Sequence, residues 1–254
     1  MNVMLSTSEL YVEVPGKTLV KNLNLEIKPG EIWGILGPNG CGKTTLLQTL
    51  SGLRKPKSGF IFLKNKKINS ILRKKIAQQL GILFQDDTAC FLQTVNEFCL
   101  TGRYPHSGFF HSDASDDFNF VNDALQITEL HDYKDQKVHT LSGGERRRLA
   151  IATLLAQAPE IFLLDEPTNH LDIRFQVKVL SHLAAHCLNE NKCALMSLHD
   201  INLANHYCTH ILMLFGNGDY LAGKPDELLI PANLSLLYQH PIGIAKDLAW
   251  LPLF

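Results

Sequence analysis

Apolar and polar residues alternate at the start of the chain. Residues 10–14 and 23–27 have the two-residue period of half-buried strands, with Leu23, Leu25 and Ile27 at every second position. KPGE at 28–31 reads as a turn, IWGIL at 32–36 as a short apolar strand, and TTLLQTLSGL at 44–53 as a helix following a glycine-rich loop. FIFL at 60–63 predicts a strand, 70–80 a helix and GILF at 81–84 a buried strand. The pattern from 86 to 158 is mainly helical. Strand and helix then alternate again: IFLLD at 161–165, a helix over 173–188, CALMSLH at 193–199, a helix over 201–207, and ILML at 211–214 before a hairpin turn, GNGD, at 216–219.

Short apolar strands alternating with helices predict a mainly parallel sheet covered on both faces. The stretch 86–158 interrupts that alternation and reads as an inserted helical subdomain. The expected organisation is one domain over 1–254, with a core from 1–85 and 159–254.

Composition adds little to this picture. The 254 residues include 24 basic and 25 acidic side chains, a net charge of −1, so nothing suggests a nucleic-acid partner. Arg146, Arg147 and Arg148 read as a solvated or ion-paired face. The six cysteines form no C-x-x-C pair, and scattered thiols suit a reducing compartment. The first basic residue is Lys17, which argues against a signal peptide, and no apolar stretch approaches the roughly 18 residues of a membrane span. Any membrane role is expected to be peripheral.

The chemistry begins at GPNGCGKT, residues 37–44, which fits the phosphate-loop pattern G-x-x-x-x-G-K-[ST] in the required strand-to-helix context. Backbone N–H groups of Gly37, Pro38, Asn39, Gly40, Cys41, Gly42, Lys43, Thr44 and Thr45 (proline excepted) would wrap phosphates, Lys43 would reach the β- and γ-phosphates, and the Thr44 hydroxyl would face Mg²⁺. Cys41 reads as filler in this loop. The strand IFLL delivers Asp165 to the sheet edge, beside the loop after the first core strand, as a Mg²⁺ ligand. Glu166 follows as the group that polarises water. Gln85 and His199 end two further strands at that edge, Gln85 as a ligand of Mg²⁺ or water and His199 as a donor to the γ-phosphate.

LSGGERRRLA at 141–150 has two readings. Ser142 and Glu145 have capping-box spacing. Gly143 and Gly144 are not needed by a cap and would suit an anion at a helix N-terminus.

Together these segments resemble the ATP-binding subunit of an ABC transporter. The resemblance covers the phosphate loop, Gln85, LSGGE at 141–145, Asp165-Glu166, NHLD at 169–172 and His199, in the family's order. It implies a RecA-like P-loop NTPase core with an N-terminal antiparallel β subdomain, ATP and Mg²⁺ as ligands, and a homodimer. In that dimer Ser142, Gly143 and Gly144 would face ATP on the partner's loop. It also implies integral-membrane permease partners, indirectly a substrate-binding protein, and residence at the cytoplasmic face of the inner or plasma membrane. TGRYPHSGFF at 101–110 resembles importers of iron–siderophore, haem or cobalamin-type chelates, and implies that Arg103–His106 docks on the permease. The short C-terminal segment is expected to leave no room for a regulatory domain. Val14 stands where the family often stacks adenine on an aromatic residue. The competing classes are a soluble ABC ATPase of repair, translation or cofactor assembly, and an exporter's ATPase subunit.

Overall fold

The computed structural model describes residues 3–84, 92–107 and 114–243, with side chains from residue 116 in the last segment. Two sheets and a helical bundle surround three apolar clusters. The first sheet is antiparallel. It joins β1 (Leu5–Val14), β2 (Lys17–Leu23), β3 (Glu26–Ile27), β5 (Ser58–Leu63) and β6 (Lys66–Lys67), ordered β2-β1-β5-β6 with β3 also on β1. The second contains β4 (Ile32–Leu36), β7 (Leu80–Leu83), β8 (Ile161–Leu164), β9 (Cys193–Ser197), β10 (His210–Leu214) and β11 (Tyr220–Gly223), ordered β11-β10-β4-β9-β8-β7. Every pairing in it is parallel except the β10–β11 hairpin, which turns at 216–219 as expected.

The parallel strands are buried on both faces, so their alternate residues enter different cores. On β8, Ile161 and Leu163 join the cluster shared with the antiparallel sheet and α1 (Lys43–Leu50), while Phe162 and Leu164 join the cluster under α6 (Ile173–Asn189) and α7 (Ile201–Tyr207). The third cluster lies among α3 (Val95–Leu100), α4 (Ala114–Ile127) and α5 (Gly143–Gln157), and includes Val95, Cys99, Val121 and Leu125. Helix α5 belongs to two cores. Ala150, Ile151 and Leu154 pack against the sheet, and Leu149, Ala152 and Ala156 pack in the bundle. Short helices α2 (Arg73–Gln79), α8 (Pro225–Leu228) and α9 (Pro231–Tyr238) and four 3-10 helices, among them Thr101–Arg103, complete the described elements.

Several expectations are corrected. Strand β1 starts at Leu5, not residue 10, because Thr7 is buried and its hydroxyl donates to Leu23 O at 2.8 Å. The predicted strand 23–27 is divided between β2 and β3, and α1 ends at Leu50. The sheet order, which the sequence pattern does not predict, places β9 between β8, which precedes Asp165, and β4, which precedes the phosphate loop.

Candidate active site

Strand β4 is buried along its whole length and ends at the glycine loop. Gly42 sits at φ 111°, and a Cβ there would lie 2.9 Å from Leu19, so both backbone and space require glycine. Gly42 also precedes α1, whose N-terminus has no side-chain cap and no acidic residue in its first turn. Its free N–H groups suit an anion. Lys43 is buried, and its ammonium donates to Gly37 O at 2.8 Å and Pro38 O at 3.3 Å, which holds the loop around the cation. Cys41 points inward, and burial pushes its thiol above the usual range against the pull of Lys43.

A 430 Å³ cleft opens over this loop, lined by Val14, Leu19, Asn39, Gly40, Gly42, Lys43, Thr44, Thr45, Glu166 and His199. The structure therefore brings Glu166 and His199 to the phosphate loop. Val14 lines the cleft and Tyr11 does not; the Tyr11 hydroxyl bonds Thr18 Oγ1 at 2.9 Å.

Behind the cleft, Ser197 at the end of β9 joins the two acidic residues. Its hydroxyl donates to Asp165 Oδ1 at 2.7 Å and accepts from the Glu166 N–H at 2.8 Å. Asp165 is 2% exposed, and its Oδ2 has no hydrogen-bond partner among the described residues. An unpaired buried carboxylate oxygen is costly unless something fills the position. Asp165 Oδ2 and the hydroxyl of Thr44, a residue lining the cleft, are both oxygen donors of the kind Mg²⁺ takes, so the chemistry of these residues fits that ion. Sequence reading missed Ser197; its position at the C-terminal end of an apolar strand was the available signal.

Glu166 is held in the left-handed region at φ 49°. His199 Nε2 donates to its Oε1 at 2.6 Å, and Asn169 Nδ2 donates to Oε2. Gln85 lies outside the described residues. Ser142, Gly143 and Gly144 do not line the cleft of their own chain. The capping box is present, with Glu145 N donating to Ser142 Oγ at 3.3 Å and Ser142 N to Glu145 Oε2 at 2.7 Å. These bonds from Ser142 hold the Glu145 carboxyl below its ordinary range. A Cβ at Gly143 would meet nothing within 4 Å, so packing within the chain does not call for glycine there.

The three arginines read in sequence as a solvated or ion-paired face; Arg148 does lie 4.0 Å from Glu145, but all three guanidinium groups also reach main-chain carbonyls. Arg146 donates to Leu141 O at 2.9 Å. Arg148 donates to Thr128 O at 3.1 Å and stacks on Phe175 at 4.4 Å. Arg147 is 4% exposed and reaches Phe84 O, Asp165 O and Glu166 O. Arg103 is likewise turned inward at 7% exposure, which corrects the expectation of a free docking cation. Its Nε donates to Asp117 Oδ1 at 2.7 Å, its Nη1 to Ala156 O at 2.9 Å and Gln157 O at 3.3 Å, and its guanidinium lies 4.1 Å from the Phe120 ring. It therefore caps the C-terminal carbonyls of α5. His106 Nε2 adds a 2.9 Å bond to Gln157 O, while Tyr104 projects outward at 64% exposure.

A family model described as ABC transporter matches residues 20–169. The petrobactin import ATP-binding protein FpuD of Bacillus anthracis is 40% identical over 254 residues, covering 100% of this chain and 92% of the relative. The ferric enterobactin transport ATP-binding protein FepC of Escherichia coli (strain K12) is 40% identical over 223 residues, covering 87% of this chain and 82% of the relative. Among solved structures, the dimeric bacterial ABC transporter cassette MJ0796 superposes with a TM-score of 0.77 at 29% identity, covering 87% of this chain and 99% of that one.

Proposed function

Because the chain belongs to the ABC transporter family, we propose that it is the ATP-hydrolysing subunit of a membrane importer for iron–siderophore, haem or cobalamin-type metal chelates. The observation that carries the catalytic reading is the cleft that gathers Lys43, Thr44, Glu166 and His199, with the unpartnered Oδ2 of Asp165 behind it. The substrate class rests on the likeness to siderophore-system relatives along the full chain.

In this reading the backbone of residues 37–45 wraps the phosphates of ATP, and Lys43 exchanges its carbonyl partners for phosphate oxygens. Thr44 and Asp165 would hold Mg²⁺, with Gln85 as a further candidate ligand. Bound there, the ion offsets charge on the transferring phosphoryl group. Glu166 accepts a proton from the attacking water as its oxygen bonds to the γ-phosphorus and the bond to the β–γ bridging oxygen breaks, giving ADP and phosphate. His199 donates to a γ-phosphate oxygen. In the described conformation His199 and Glu166 hold each other at 2.6 Å, so nucleotide must draw His199 away before Glu166 can take up water.

Ser142, Gly143 and Gly144 bind the nucleotide on the partner's loop in a two-fold dimer. Support comes from the open space at Gly143 and the absence of all three from their own cleft. Residues 86–158 act as the helical subdomain, and its 101–107 loop meets the permease through the exposed side around Tyr104, with Arg103 shaping the loop from within. No helix among the described residues is long and apolar enough to cross a membrane. The likeness to ATP-binding proteins of import systems supports reading the subunit as peripheral, at the cytoplasmic face of the inner or plasma membrane.

Glu166→Gln tests this assignment. The variant should bind ATP, accumulate as an ATP-held dimer in light scattering, and lose about 100-fold or more in turnover. Normal turnover would remove Glu166 from the role, and loss of nucleotide binding would contradict the geometry.

A further inference from the structure

Arg147 occupies an unusual junction. It lies five residues beyond Ser142 on α5, about 7.5 Å along the helix axis. Its guanidinium donates to Phe84 O at 2.5 Å, Asp165 O at 2.7 Å and Glu166 O at 2.6 Å. The fixed fork of an arginine thereby ties the start of α5 to the ends of β7 and β8. Glu166 is in a backbone conformation that L-residues disfavour, and both of its peptide groups are pinned: the N–H to Ser197 Oγ at 2.8 Å and the C=O to Arg147. A shift of the first turns of α5 therefore has a rigid route to the backbone that aims the Glu166 carboxylate.

We propose that Arg147 is a positioning residue that links the two nucleotide sites of the dimer. This rests on the proposed role of Ser142–Gly144 in meeting the partner's nucleotide. When that nucleotide seats α5, the guanidinium carries the displacement to Asp165–Glu166 of its own chain. Occupancy of one site thus sets the hydrolytic geometry of the other. Packing alone would not require the fork: a buried cation is costly to desolvate, and a long apolar side chain would fill the same space.

The test is a double-mutant cycle in a mixed dimer. One chain carries Glu166→Gln, so that turnover reports only the Glu166 of the other chain. The reporter chain carries Ser142→Arg, Arg147→Gln, both or neither. Ser142→Arg in the reporter chain damages the silenced site, not the reporting one. With Arg147 present it should still lower reporter turnover at least fivefold; with Arg147→Gln the same substitution should change turnover less than twofold. Affinity for a fluorescent ATP analogue at the reporter's own loop should stay within twofold in all four. Equal fold-losses in both backgrounds would overturn the link, since they would mean that Ser142→Arg acts by loosening the dimer. No loss in either background would also overturn it. Moving Ser142→Arg to the silenced chain tests the premise separately. If turnover survives there but is abolished with Ser142→Arg in the reporter chain, the signature acts within its own chain and the premise fails. Should Arg147→Gln not fold, Arg147→Lys takes its place; coupling equal to that of the parent would overturn the proposal, and reduced coupling would support it.

Discussion

Replacing Arg103 by methionine keeps much of the side-chain stem and removes the charge and every donor. The pair with Asp117 is partly solvated, with 26% of the Asp117 side chain exposed, so its loss is worth about 1 kcal/mol. The carbonyls of Ala156 and Gln157 lose their donor at the end of α5, which costs about 1–3 kcal/mol where water cannot replace it. The contact with Phe120 adds about 0.5–2 kcal/mol. A total near 4 kcal/mol is expected, and for a chain of this size that corresponds to roughly 8–16 °C in Tm. Circular dichroism melting of the nucleotide-free protein measures it, with Arg103→Lys expected to recover part of the loss. ATPase measured well below the melting temperature should persist, and should fall together with permease docking as the bundle loosens on warming. A variant with Tm unchanged within 2 °C, normal ATPase and a selective loss of permease binding would refute this reasoning and restore Arg103 as a direct contact.

Gly143→Val should melt within about 2 °C of the parent because its Cβ meets open space, yet, combined with Glu166→Gln, lose the ATP-held dimer that Glu166→Gln alone accumulates in light scattering; an ATP-held dimer of normal stability in the double variant would refute the role given to this glycine. Ser197→Ala removes the donor to Asp165 and the acceptor for the Glu166 N–H; a fall of about 2 kcal/mol in urea unfolding and at least tenfold in turnover is expected, and unchanged turnover would show that Glu166 is aimed without it. Burial holds His106, His182 and His186 below the ordinary histidine range, reinforced by Arg103 at His106, by His186 at His182 and by Lys192 at His186. A depressed folded-state pKa gives stability that is present above about 6.5 and lost as pH falls further, so Tm should drop between pH 7.5 and 5.5, less so in His182→Gln; a Tm that rises on acidification would contradict the signs.

The sequence made the parallel core legible because its strands are short, apolar and separated by helices, and because glycine, lysine and threonine stand in register at 37–44. It also indicated that Glu166 and His199 end strands at the same edge, and the cleft contains both. Other features depend on tertiary neighbours. Nothing in IFLLD or CALMSLH states that β9 lies between β4 and β8, and without that order Ser197 has no reason to stand out. The run of three arginines reads as a solvated or ion-paired face, and Arg148 does pair with Glu145. Each also reaches carbonyls that local periodicity does not reveal. The same holds for Arg103: the sequence pattern marks a loop, but not which side of the loop holds the charge.

The membership of α5 in two cores has a consequence for how the molecule opens under native conditions. A helix fastened on one side only can detach with its own layer and expose its amides independently. Helix α5 cannot, because releasing Ile151 and Leu154 from the sheet strains the packing of Leu149 and Ala152 in the bundle, and the reverse also holds. Its amides should therefore exchange with deuterium only in the largest opening event, at rates shared with β8 and β9 and slower than those of α3 and α4. Slow, collective exchange would mark α5 as the common member through which the helical layer and the sheet unfold as one cooperative unit.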